Sequence, residues 1–270
     1  MEIENRHGVI LETSQIRSFN LDRTVIVDCY FPNHVEDPAL MSLLLINDGQ
    51  DMEKLGFISI LDNFFKKADI APIFCVGIHA GPERKMEYGT AETADYKGRG
   101  AKAKNYGRFV MDELLPFVRS NYQIFEFREK AFAGFSLGGL SALDIVWNHP
   151  HEFNRVGIFS GSFWWRTKDK LDLTYNEETD RIMQNRIRSG DYHPWLKFFF
   201  ECGTADEQED RNQNGVIDSI DDTQDIIREL LAKGYAPEKD IVYLELDGGK
   251  HDIPTWGLAM PVFLDWGWGR

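Results

Sequence analysis

Three groups of side chains in this sequence have the types and spacing to do chemistry. The first is Gly134-Phe135-Ser136-Leu137-Gly138. A serine hydroxyl is a weak nucleophile unless an imidazole takes its proton and a carboxylate orients that imidazole. Glycines on either side of Ser136 allow a strand to turn sharply into a helix and leave the hydroxyl perched on the bend. Ala131 to Phe135 supplies the apolar strand, and Leu140, Leu143 and Trp147 recur at helical spacing until Pro150 ends the run. Ser136 is therefore expected to be a nucleophile.

The second group holds its partners, which should follow in the order acid, then histidine, on later strand ends. Of the histidines, His149 and His151 lie at the end of the helix leaving Ser136, and His193 abuts Pro194 before a strand. His251 follows the last strand, in Asp247-Gly248-Gly249-Lys250-His251-Asp252, where a base should stand. Asp206 is the first acid after the strand Lys197–Gly203 and so the nearest to the sheet edge, ahead of Glu207, Glu209 and Asp210. An oxyanion needs preorganised N–H donors. The amide of Leu137 is one candidate; the other is Gln50 or Asp51, after the turn at Gly49, and the sequence leaves these two open. Trp164 and Trp165 follow the next strand and could stack on a sugar or an aromatic acid.

The third group is Asp210-Arg211-Asn212-Gln213-Asn214-Gly215-Val216-Ile217-Asp218-Ser219-Ile220-Asp221. Oxygen ligands fall at loop positions one, three, five, nine and twelve (Asp210, Asn212, Asn214, Asp218, Asp221). The Val216 carbonyl lies at seven, and Gly215 sits at six, where a calcium loop turns. A helix follows at once, as in the EF-hand and dockerin loops that this segment resembles. Asp221 replaces the bidentate Glu of an EF-hand. A structural calcium ion is expected here, and no redox cofactor.

The elements that must position these groups alternate along the chain. Strand-like runs cover Thr24–Phe31, Leu43–Asn47, Pro72–Ile78, Ala131–Phe135, Arg155–Ser160, Lys197–Gly203 and Ile241–Asp247, several of them apolar throughout, as in a parallel sheet covered on both faces. Helical patterns fall at about 51–68, 105–120, 137–148 and 222–234, with Pro116 kinking or restarting the second. This predicts one doubly wound α/β domain over 1–270 with an early antiparallel portion, and the calcium-type loop inserted at about 207–222. The long connection Ala80–Lys104 should help build the ligand crevice. It carries Lys97, Arg99, Lys102 and Lys104, followed by Arg108, cations that could favour an anionic substrate.

A net charge of -14 argues against nucleic acid as a partner. No apolar run reaches the ~20 residues that span a bilayer. The first residues lack an apolar signal core, and Cys29, Cys75 and Cys202 lie in strand-like runs without metal spacing, so reduced thiols and a cytoplasmic location are expected. Nothing in the sequence speaks to oligomeric state.

The chain resembles the putative esterase family of α/β-hydrolases, which includes esterase D, enterochelin esterases, feruloyl esterase domains and mycobacterial mycolyltransferases. The resemblance rests on Leu45-Ile46-Asn47-Asp48-Gly49-Gln50, Glu113-Leu114-Leu115-Pro116-Phe117, Ala133 to Gly139, Ser160-Gly161-Ser162-Phe163-Trp164-Trp165, Cys202-Gly203-Thr204-Ala205-Asp206 and Gly248-Gly249-Lys250-His251-Asp252 with Trp256. It implies an α/β-hydrolase fold and a serine carboxylic-ester hydrolase acting on a small-molecule ester through Ser136, Asp206 and His251. Acyl transfer to an alcohol, peptide hydrolysis and a non-catalytic binding module are the rival readings. The substrate stays open among siderophore, feruloyl-sugar and acetyl esters.

Overall fold

A computed structural model describes residues 2–6, 8–35 and 37–270. Nine strands form one sheet: β1 (Glu2–Arg6), β2 (Val9–Ser18), β3 (Arg23–Pro32), β4 (Ser42–Asn47), β5 (Ile73–Ile78), β6 (Lys130–Phe135), β7 (Arg155–Phe159), β8 (Lys197–Gly203) and β9 (Ile241–Leu246). Their spatial order is β1-β2-β3-β5-β4-β6-β7-β8-β9. The first three and β5 pair antiparallel, and every pairing from β5 to β9 is parallel. The early antiparallel portion is thus a meander of β1 to β3. Its first two strands were not foreseen, because Val9–Ser18 mixes polar and apolar residues without the strict alternation of a half-buried strand.

The helices are α1 (Met52–Leu55), α2 (Phe57–Lys67), α3 (Arg84–Glu87), α4 (Ala103–Arg108), α5 (Leu115–Tyr122), α6 (Leu137–Asn148), α7 (Glu177–Asp180), α8 (Ile182–Ser189), α9 (Asp218–Lys233) and α10 (Ile253–Trp268). The expected helix at 51–68 breaks at Gly56, which adopts φ 76°. The one at 105–120 contains a π-helical stretch, Phe109–Leu114, in which the Leu115 amide reaches back to the Val110 carbonyl, and this widened turn runs directly into α5, whose second residue is Pro116. Helix α10 was not foreseen. Its Pro254, Gly257, Pro261 and Gly267 read as breakers, but burial of Ala259, Met260, Phe263 and Leu264 against the sheet overrides that low propensity.

Along β4, Leu43 and Leu45 pack into one apolar layer with α4 to α6, α8 and α9, while Leu44 and Ile46 pack into the other with α1, α2 and α10. Burial on both faces explains why this strand reads as an unbroken apolar run. Strand order reverses at β4, which lies between β5 and β6 although it precedes both in the chain. At such a reversal the connections leave in opposite directions and open a crevice beyond the strand ends. The loops after β4 and β6 meet there. Among the described residues, no helix is long and apolar enough to cross a membrane.

Candidate active site

Ser136 stands between β6 and α6 with φ 53° and ψ -122°, a conformation an L-residue holds only when its surroundings enforce it. The surroundings do. A side chain on Gly134 would overlap the Gly138 carbonyl, so strand and helix touch backbone to backbone. The Ser136 amide donates to the Phe159 carbonyl at 2.8 Å, and the Asn47 amide group donates to the Gly138 carbonyl at 2.8 Å. Asn47 is in turn held by the Tyr106 hydroxyl at 2.5 Å. The Ser136 hydroxyl lies 3.3 Å from that of Ser162, whose amide donates to the Ser136 carbonyl. Ser162 is buried, and sequence reasoning gave it no role.

After β4, Asp48 takes a left-handed conformation and grips Arg84 through two hydrogen bonds of 2.6 and 2.7 Å. Its amide donates to the Tyr88 hydroxyl at 3.2 Å, and Arg84 lies over the Tyr88 ring. A side chain on Gly49 would strike the Gly77 backbone, so the turn sits directly on β5. Asp51 uses its N–H on the Asp48 carbonyl at 3.0 Å. Among the described residues no acceptor is found for the amides of Gln50 and Leu137, which favours Gln50 over Asp51 as a free donor. The Asp48–Arg84 clamp was invisible in the sequence because its partners lie 36 residues apart.

On the far side, the turns after β8 and β9 are knitted together. Thr204 and Ala205 donate backbone bonds to the Leu246 and Gly249 carbonyls, and the Gly248 amide donates to the Thr204 hydroxyl at 2.7 Å. A side chain on Gly203 would collide with Gly249. This brings His251 Nδ1 to 3.6 Å from Asp206 Oδ2, within ion-pair range but too long for a hydrogen bond. The Asp206 side chain is fully buried, whereas that of His251 is 39% exposed. Trp256 supports the site from α10: it stacks on Phe135, meets the His251 ring edge-on, and donates from its indole to the Ser160 hydroxyl at 3.0 Å. Of the competing acids, Glu209 pairs with Lys170, and Asp210 accepts from the Gly215 amide at 2.9 Å.

Ser136, His251, Gln50, Arg84 and Trp256 line one cleft of about 610 Å³. A larger hollow of about 850 Å³ lies between α7–α8 and α9, walled by charged side chains such as Arg181, Arg188 and Glu229. Its lining residues include no serine, cysteine or histidine, whereas the smaller cleft has Ser136 and His251 on its wall.

Two expectations about ligand contact need correcting. Trp165 is fully buried, packed against Gly89 and Gly100, and offers no surface for stacking. Trp164 is half-buried and lies under Arg99 at 4.5 Å. The basic connection is not a free cationic rim either. Arg99 bonds Asp95 at 2.6 Å, Lys102 pairs with Glu83, and Lys104 lies 3.9 Å from Glu92. None of these cations lines the cleft.

In the 210–221 loop, Gly215 has φ 86° and the side chains converge: Asn212 and Asn214 donate to Asp221 at 2.7 and 3.0 Å, and Asn214's amide N–H bonds the Asn212 side-chain oxygen at 3.0 Å. Asn214 also accepts from the Val216 amide at 2.7 Å. Asp218 turns the other way, accepting from the Arg211 amide at 2.8 Å and facing its guanidinium. Among the described residues no three His, Cys, Asp or Glu side chains converge as a metal site, so any cation would depend on the Asn oxygens.

Residues 18–266 match the family described as Putative esterase. An uncharacterized Bacillus subtilis protein, YbbA, is 20% identical over 245 residues, covering 88% of this chain and 90% of that one. Among solved structures, the BES protein from Bacillus cereus superposes with a TM-score of 0.71 at 17% identity, covering 98% and 97% of the two chains. A ferulic acid esterase gives 0.70 at 17% identity, over 96% and 97%. The Shigella flexneri enterobactin esterase FES, solved in the presence of enterobactin, gives 0.71 at 20% identity. That match covers 95% of this chain but only 58% of the FES chain. The shared architecture is the α/β-hydrolase fold.

Proposed function

Because the chain belongs to the putative esterase family and is an esterase, we propose that it hydrolyses a small-molecule carboxylic ester through an acyl-enzyme formed on Ser136. His251 takes the proton from the Ser136 hydroxyl as it attacks the ester carbonyl and returns it to the leaving alcohol. Asp206 orients the imidazole and stabilises its cationic form. The amides of Gln50 and Leu137 bind the developing oxyanion. Water, activated by the same histidine, then releases the acid.

The observation that carries this reading is the strained Ser136 facing a cleft it shares with His251, with Asp206 buried behind the imidazole. A base held this loosely suits the role, since catalytic hydrogen bonds often tighten only with substrate bound. The Phe135–Trp256 wall gives the cleft an apolar, aromatic side. That suits an aryl or cyclic ester, such as the ferulate and enterobactin in the names of two structural relatives. The deciding experiment is turnover of a p-nitrophenyl ester by wild type and Ser136→Ala, with fluorophosphonate labelling of the wild type. Activity retained in Ser136→Ala would sink the mechanism; product analysis with an added alcohol separates hydrolysis from acyl transfer.

A structural calcium ion in the 210–221 loop is a second part of this proposal. It is favoured by the spacing of Asp210, Asn212, Asn214 and Asp221 around the Gly215 turn, with the Val216 carbonyl at position seven; Asp210 accepts from the Gly215 amide, and an ion would require the Asn212 and Asn214 amide groups, whose nitrogens now face Asp221, to turn their oxygens inward. The buried free thiols at Cys29, Cys75 and Cys202 suit a reducing cytoplasm.

A further inference from the structure

The two edges of the sheet differ in kind. β1, at one edge, reads Glu2-Ile3-Glu4-Asn5-Arg6, polar at every position but Ile3. β9, at the other, reads Ile241-Val242-Tyr243-Leu244-Glu245-Leu246, with Glu245 its single charge. Edge strands are usually blunted by charge, proline or a covering segment, because an open row of N–H and C=O groups pairs with another chain. Only the start of β9 is covered, where the Glu238 amide donates to the Ile241 carbonyl at 2.9 Å.

The backbone of β9 faces two ways. The Asp240 and Leu246 carbonyls accept from the Phe198 and Thr204 amides, on the β8 side, at 2.8 and 2.9 Å. Backbone groups alternate along a strand, so Val242 and Leu244 also point to β8, while Tyr243 and Glu245 point outward. Among the described residues no strand pairs with them there. Side chains alternate likewise. Val242, Leu244 and Leu246 lie on the face that α10 covers, each half-buried. One flank of α10 packs Gly257 against Leu55 of α1; on the other, Trp266 meets Phe199 of β8 at 5.7 Å. Val262 and Leu258 precede Trp266 by one and two turns on that second flank, 44% and 71% exposed. An apolar strip thus borders a free strand edge.

We propose that a second copy of this chain docks here, β9 pairing antiparallel with β9 about a two-fold axis at Leu244, so that one sheet continues through both copies. The register follows from which groups are free. An antiparallel ladder joins residues whose N–H and C=O both face the partner strand. Tyr243 therefore lies opposite Glu245 of the other copy, and the two Leu244 residues face each other. Pairing Tyr243 with itself would set Glu245 against Ile241, whose carbonyl is already bonded. In the chosen register Val242 meets Leu246, so each pair is complementary, phenol to carboxylate and aliphatic to aliphatic. The strand ends agree: the axis brings Lys239 toward Asp247 and Glu238 toward Lys250 of the other copy. Opposite side chains share a face, so both α10 helices lie on one side with their apolar flanks toward each other. Such an interface is self-complementary and closes at two copies.

Sedimentation of the full chain tests this. Each copy carries a net charge of -14, so the run uses roughly 0.15 M salt, which screens repulsion beyond ~8 Å. At about 10 μM chain, above the weak end of such interfaces, the mass should be twice 31.2 kDa. Leu244→Lys and Leu244→Glu each set like charges face to face and should weaken the dimer by about 100-fold. An equimolar mixture of the two should dimerise again, lysine against glutamate. A wild type of single-chain mass overturns the proposal and leaves the edge to an extended peptide of another protein. A dimer that survives both variants, or a mixture that stays apart, overturns it equally.

If either variant fails to fold, Leu244→Cys decides. Directly opposed residues of this kind have Cα atoms ~4.5 Å apart, within disulfide reach. Mild oxidation should therefore link two copies of Leu244→Cys but not of Val242→Cys, and the native thiols are all buried. Linkage of both variants, or of neither, overturns the register. None of these readouts uses activity, so the outcome is independent of the Ser136 mechanism.

Discussion

The two sides of the cleft are built differently. On the nucleophile side, backbone meets backbone: Gly134 against Gly138, Gly49 against Gly77, with Asn47 and the Asp48–Arg84 pair closing the gaps. On the acid–base side, the Gly203–Gly249 contact is equally close, but the side chains beyond it are held loosely. The Asp206 carboxylate has no hydrogen-bond partner among the described residues, and its contact with His251 is 3.6 Å. The difference teaches that this fold fixes Ser136 through main-chain sterics and leaves His251 and Asp206 to side-chain contacts on loops. Substitutions on the first side should therefore act through folding, and those on the second through kcat.

The largest effect expected on the acid–base side is from His251→Ala, a loss of several powers of ten in kcat with the melting temperature nearly unchanged. Asp206→Asn should cost about 10²- to 10⁴-fold, because it misorients the imidazole without removing it. Steady-state kinetics with melting curves check both. Gly134→Ala provides the contrast: it should destabilise by about 1–3 kcal/mol or prevent folding, since no flexible side chain can yield. If Gly134→Ala folds normally, or His251→Ala unfolds, the contrast fails.

A smaller effect is expected at the 210–221 loop, which begins three residues beyond Glu207, so that an ion held there would restrain the Asp206 turn. Calcium at one hundred times Kd would add about 2.7 kcal/mol to stability. Chelation should therefore lower the melting temperature and reduce kcat modestly, and Asp210→Ala should copy it and be indifferent to EDTA. Calorimetric titration of the stripped protein decides; absence of both heat and stabilisation removes the ion. The smallest effect is expected from Lys97, Lys102 and Lys104. Replacing all three with Gln should change KM for anionic esters by less than about twofold, because none lines the cleft: Lys102 and Lys104 stand in exposed pairs with acids and Lys97 lies over the Tyr96 ring.

Much of this was legible in the sequence, and the boundary is physical. Strands β4 to β8 announce themselves because burial on both faces demands apolar runs, and the bend at Ser136 does so because a sharp turn demands glycine. The meeting of His251 and Asp206 on neighbouring turns follows from strand order, since both stand on loops just beyond the ends of adjacent strands. What stayed hidden depends on tertiary partners. Asp48 needs Arg84 to become a clamp, Ser162 needs the bend at Ser136 to come near it, and Trp165 looks like a ligand platform until Gly89 and Gly100 close over it. The cations at 99–104 looked unopposed because Glu83, Glu92 and Asp95 reach them from outside that stretch. Helix α10 was obscured by residues that disfavour helices on their own but pack well against a sheet.

The three thiols offer a clock for each half of the molecule. Cys29 and Cys75 sit on adjacent strands, β3 and β5, and Cys202 sits on β8 beside the acid turn; all are buried and free. Burial pushes Cys29 up to about 12 and raises Cys75 and Cys202 as well, so none offers a thiolate to a reagent at neutral pH while folded. Alkylation must then wait for local opening, and its rate at each cysteine measures how often that part of the sheet comes apart. Faster modification of Cys202 than of Cys29 would mean that the acid side breathes while the nucleophile side stays shut.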